Sequence, residues 1–126
     1  MLISVLVIAA ITVHAQAGYQ SFTTDTVKGA QTKYKTSSVK AVEYGVVTFQ
    51  FTADGFGSDS ATFTLEGSND FWTTSNVVSV QPYKGTAATT YTLGQSPSMY
   101  ISYRLKIEGE ATDTVKYSNV LFVYKK

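Results

Sequence analysis

Two-residue alternation of apolar and polar side chains, interrupted by glycine and asparagine, is the strongest constraint on this 126-residue chain. Ala61, Phe63 and Leu65 alternate with Thr62, Thr64 and Glu66. Ile101, Tyr103, Leu105 and Ile107 alternate with Ser102, Arg104 and Lys106. Successive side chains of a strand point to opposite faces, so each run predicts a strand with one apolar and one polar side. Turn chemistry ends both runs: Gly67-Ser68-Asn69-Asp70 after the first, Glu108-Gly109 after the second. Phe71-Trp72 is then expected to return a large apolar payload to the core.

The same reading extends along the chain. Residues 19–24 form an expected edge strand, and the lysine-rich residues 28–38 a solvated edge strand or a loop. Val47, Phe49 and Phe51 mark a strand over 46–52. The glycine and aspartate turn at 53–60 joins it to 61–66 as an expected hairpin. Short strands follow at 77–81 and 89–93, with loops at 82–88 and 94–98, then the long run 99–108 and a final strand over 114–124. In that last strand Val120, Phe122 and Tyr124 share one face, and Leu121 and Val123 on the other suggest cover on both sides. With 18 Thr, 13 Ser, 9 Tyr and 7 Phe, the composition favours strands, because Thr and aromatics suit a pleated surface. Seven or eight short strands with frequent turns imply an all-β, antiparallel two-sheet β-sandwich, immunoglobulin-like or jelly-roll-like. Residues 18–126 read as a single such domain.

Residues 1–17 precede it as a short hydrophobic segment. Residues 1–13 are apolar and uncharged apart from the terminal amine, and Ala15 and Ala17 give the small-x-small pattern of a signal-peptidase site before Gly18. The positive n-region of an export signal is missing, and the run is short for a span of about 20 residues. A cleaved export signal, a retained membrane anchor and a buried strand or helix all fit. Membrane contact is expected only if residues 1–17 are retained.

Several chemistries are disfavoured. Net charge is +1 with no basic stripe, so no nucleic-acid partner is expected. The chain has no cysteine, and its one histidine, His14, lies in the hydrophobic segment. Thiol nucleophiles, zinc-thiolate sites and a Ser-His-Asp triad within the domain are excluded on that reading. Glu66 and Glu108 could in principle form a glycosidase pair, but their strand-end positions predict solvated charges. No catalytic residue and no cofactor are expected. Asp54, Asp59, Asn69 and Asp70 supply the oxygens a calcium ion would use, although the spacing is not that of an EF-hand and ordinary turn chemistry accounts for them. Tyr83, Tyr91, Tyr100 and Tyr117 are contact candidates, with Tyr100 expected to be the most exposed.

The stretch Phe63-Thr64-Leu65-Glu66-Gly67-Ser68-Asn69-Asp70, with Trp72 just beyond, resembles small β-sandwich modules of bacteriophage virion proteins. Tyr103-Arg104-Leu105-Lys106-Ile107-Glu108-Gly109, followed by Thr112-Asp113-Thr114-Val115 and an apolar strand, resembles them too. The two stretches cover less than half the chain. The resemblance implies a non-enzymatic structural or assembly protein of a capsid, tail or fibre, located in the virion, packing against copies of itself or other virion proteins. The alternative is an exported or surface-anchored module that binds carbohydrate or protein through loop aromatics.

Overall fold

The computed structural model describes residues 17–41, 44–85 and 87–126. The hydrophobic segment up to residue 16, with His14, lies outside these residues, and Ala17 opens the first strand opposite Lys125. Among the described residues nine strands follow in order: β1 Ala17–Phe22, β2 Asp25–Lys28, β3 Thr32–Thr36, β4 Val46–Asp54, β5 Ser60–Ser68, β6 Asn76–Lys84, β7 Thr89–Gln95, β8 Ser102–Gly109 and β9 Thr114–Lys125. The weakly patterned stretch before residue 38 thus supplies three short strands, one more than the sequence suggested at most.

All pairings are antiparallel and build two sheets. The first has the order β1-β9-β4-β7, with β2 also on β9, and the second the order β3-β8-β5-β6. Sequence order shows the wrapping. β2 pairs β9, β3 pairs β8, β4 pairs β7 and β5 pairs β6, as in one long hairpin whose tip is the β5–β6 turn. Rolling that ribbon creates two further contacts, β4 on β9 and β5 on β8, and closes the sandwich. This is jelly-roll winding, which settles the choice between the two sandwich classes expected. It also corrects the expected 46–52/61–66 hairpin: the turn between β4 and β5 crosses from one sheet to the other.

The core lies between the sheets. Val47, Phe49 and Phe51 of β4, Phe63 and Leu65 of β5, Tyr103, Leu105 and Ile107 of β8, and Phe122 of β9 are fully buried. Phe51 stacks on Phe63 across the two sheets at 4.4 Å between ring centroids. Burying an aromatic or branched side chain of this size is worth about 1.5–3 kcal/mol, so this layer dominates the fold's stability.

β9 changes phase part-way. Val115 and Tyr117 face the core, then Val120 and Phe122 do, an odd-to-even switch. The register against β4 shifts between Gln50 and Thr52, and Asn119 takes a φ of 51° there. The extra residue forms a bulge, with asparagine tolerating the left-handed conformation. The outer side of β9 is less covered than expected, since Val123 remains exposed.

Two buried tyrosines fasten the ends of the sandwich. The Tyr83 hydroxyl accepts from Gly55 N at 2.9 Å and donates to Ala87 O at 3.3 Å, tying the β4–β5 turn to the β6–β7 turn. At the opposite end the Tyr103 hydroxyl accepts from Met99 N at 2.9 Å and Tyr100 N at 3.3 Å, and donates to the Gln95 side chain.

Candidate functional site

Three loop segments meet at the end of the sandwich that Tyr103 fastens: 37–41, 69–75 and 96–101. Backbone and side-chain bonds lock them together. Ala41 N donates to Ile101 O at 2.7 Å, Ser98 Oγ to Ala41 O at 2.9 Å, and Ile101 N to Asn69 Oδ1 at 2.8 Å. Between them lies a cleft of about 430 Å³ lined by Ser38, Val39, Lys40, Phe71, Ile101 and Ser102. Two hydroxyls, an amine and three apolar side chains therefore face one volume.

Phe71 lines this cleft and is 91% exposed. Its position is imposed by the turn. Phe71 and Trp72 have φ of 54° and 68°, two consecutive non-glycine residues in the left-handed region. Such conformations cost on the order of 1–3 kcal/mol each and persist only where surrounding bonds enforce them. Here Ser68 Oγ accepts from Trp72 N at 3.1 Å, and Asp70 accepts from Thr74 N at 2.9 Å and from Thr74 Oγ1 at 2.6 Å. The Thr74 hydroxyl and amide, and after them Ser68, hold the Asp70 carboxyl below its ordinary value.

Trp72 does not enter the core, and the expected return of Phe71-Trp72 to the interior is corrected. Trp72 instead lies on the outer face of the second sheet. The Arg104 guanidinium carbon sits 4.2 Å from the Trp72 ring centroid and 4.1 Å from that of Tyr34, so the cation is held between two rings. Arg104 Nε donates to Glu66 Oε1 at 2.8 Å. Glu66 is buried, which corrects the expected solvated charge, and Glu108 is paired with Lys106 at 3.3 Å. Beyond Glu66 the face continues onto β6, where Val77 stands opposite Glu66 and Val80 opposite Thr64, both valines exposed.

The tyrosines singled out from sequence fall elsewhere. Tyr83 and Tyr117 are buried, each with its hydroxyl bonded internally, so neither reaches a surface. Burial first, then the Asp25 charge, pushes the Tyr117 phenol upward. Tyr91 packs edge-on to Tyr83. Tyr100 is half-buried, edge-on to Tyr103 at 5.8 Å, because its ring occupies the space left open by Gly67. Asp54 and Asp59 stand at one end of β5 and Asn69 and Asp70 at the other. Their oxygens bond turn groups: Asp54 accepts from Phe56 N, and Asp59 from Ser58 Oγ and Thr114 N. Among the described residues, no three His, Cys, Asp or Glu converge as a metal-binding set.

Sequence reasoning missed Tyr34, Phe71 and Arg104. A usable signal was present for Arg104, the one arginine beside nine lysines. A planar guanidinium stacks on rings where an ammonium does not.

No protein-family model and no curated protein sequence matches this chain. Solved structures do. A carbohydrate-binding module, CBM4, superposes with a TM-score of 0.54 at 10% identity, covering 89% of this chain and 81% of its own. A Bacillus endospore appendage, from a family of disulfide-linked pili, gives 0.52 at 9% identity, covering 87% and 88%. Family 16 Carbohydrate Binding Module-2 gives 0.50 at 8% identity, covering 76% and 73%. At these identities the shared property is the β-sandwich fold, used by binding and structural modules alike.

Proposed function

We propose that this chain is a non-catalytic jelly-roll binding module, exported from the cell, that holds a saccharide in the cleft lined by Phe71. The carrying observation is Phe71 itself. A large apolar ring is kept in water by a strained turn that several hydrogen bonds enforce, next to a concavity lined by hydroxyls and an amine. Sugars present C–H faces to rings and hydroxyls to polar groups, and the cleft supplies both. A pre-positioned ring also avoids the ordering cost of binding. The carbohydrate-binding modules that share the fold point to the ligand class to test.

The test is titration calorimetry against soluble oligosaccharides chosen from a glycan array, with wild type and Phe71→Ala. Binding by the wild type, lost in Phe71→Ala without a change in thermal midpoint, supports the reading. No saccharide binding by the wild type, or undiminished binding by the variant, overturns it.

A second reading is the virion component implied by the Phe63–Asp70 resemblance. Jelly rolls serve both as capsid and as lectin domains. On this reading Phe71, Val77 and Val80 pack against a neighbouring coat protein. Purified particles from the native source would contain the chain, and Phe71→Ala would reduce its incorporation.

A further inference from the structure

We propose that β7 is an association edge, through which two copies of this chain pair strand to strand and join their first sheets into one. A sheet edge exposes unpaired backbone groups, and proteins that must stay single protect it with charge, proline, breaks or inward-pointing lysine. Among the described residues the two sheets have four edges, and three of them are protected. β3 carries Lys33 and Lys35, both directed at Asp25 at 3.1 and 3.8 Å. β6 carries Pro82 and Lys84 and shifts register against β5. The β1/β2 edge is interrupted at residues 23–24, and β2 is bounded by Asp25 and Lys28.

β7 has none of these devices. Thr89-Thr90-Tyr91-Thr92-Leu93-Gly94-Gln95 contains no charge and no proline, and its register with β4 is unbroken. No backbone bond from a loop reaches it among the described residues. Its sequence also fits a second copy of itself. An antiparallel pair centred on Thr92 overlaps the whole seven-residue strand. Thr92 then meets Thr92 of the partner subunit, and Thr90 meets Gly94 of the partner subunit, on the outer face. Tyr91 meets Leu93 of the partner subunit on the inner one. Threonine pairs and aromatic–aliphatic pairs are favourable across strands, and a neutral strand brings no repulsion against its own copy. Such a two-fold contact closes on itself as a dimer. It lies on the other sheet from the cleft and is independent of the saccharide reading.

Sedimentation velocity of the full chain over a wide concentration range tests this. The expected result is a reversible dimer that becomes monomeric in Thr92→Lys and in Thr92→Glu, and that re-forms when the two variants are mixed. Amide exchange of residues 89–95 in the wild type should slow as concentration rises, a readout that needs no variant. A wild type monomeric at every concentration overturns the proposal. So does a dimer that either charge leaves intact, or β7 exchange that ignores concentration.

Discussion

Glu66 and Arg104 meet at 2.8 Å on the outer face of the second sheet, with side chains only 7% and 18% exposed. A strand position that the alternation marks as solvent-facing thus holds a shielded carboxylate. The guanidinium that neutralises it also carries Tyr34 on one side and Trp72 on the other. This one cation therefore links β3, β5, β8 and the turn that presents Phe71.

Removing the cation leaves the carboxylate shielded and uncompensated. Arg104→Ala is expected to lower unfolding free energy by about 3–5 kcal/mol, measured in urea. Arg104→Ala combined with Glu66→Gln should recover part of that loss. Arg104→Lys keeps the charge but cannot lie flat between two rings, so it should fall between wild type and alanine. A loss well under about 1 kcal/mol for Arg104→Ala would mean that the pair behaves as a solvated surface bridge.

A Cβ on residue 67 would collide with the Tyr100 ring. Gly67→Ala should destabilise by about 1–3 kcal/mol through overpacking. Adding Tyr100→Ala removes the obstacle, so the double variant should be more stable than the sum of the two single losses. Strict additivity in that cycle would show that the two positions do not touch.

The two fastening tyrosines make a spatially resolved prediction. Tyr103→Phe strands the amides of Met99 and Tyr100, and Tyr83→Phe strands that of Gly55. Each loss should cost about 1–3 kcal/mol. Amide exchange should quicken at 99–100 in the first variant and at 55 in the second, with each opposite end unchanged.

Acid should weaken the fold through Asp25. The Thr26 amide, and after it Lys33, holds this carboxyl below its ordinary value of 3.8. A depressed folded value means the native state binds fewer protons than the unfolded chain. The stabilisation is therefore fully present above the ordinary carboxylate range and is lost as pH falls through the folded value. Asp25→Asn should flatten the decline of thermal midpoint below about pH 4. An unaltered slope would assign acid sensitivity to other carboxylates.

Much of the sandwich was legible because its signal is local. Strands β4, β5 and β8 follow from period-two alternation at Phe49, Phe63 and Leu105, since that pattern has one physical meaning when one side is buried. The phase change between Tyr117 and Val120 was present too, and marks the bulge at Asn119. Which strands pair was not legible, because the turn over 53–60 looks like a hairpin turn yet carries the chain between sheets. Trp72 and Glu66 were misplaced for a related reason. Their environment depends on a turn folding back over a face, and alternation says only which face, not what covers it. Tyr83, Tyr103 and Tyr117 each combine a buried ring with a bonded hydroxyl, so residue type alone could not separate them from surface contacts.

The position of β9 has a consequence for how the molecule comes into being. Residues 114–125 contribute the strand that β1, β2 and β4 all adjoin, so the first sheet has no centre until they have left the ribosome. A chain lacking them leaves Phe49 without the Phe122 ring it packs against, so that layer of the core forms only once residues 114–125 have joined it.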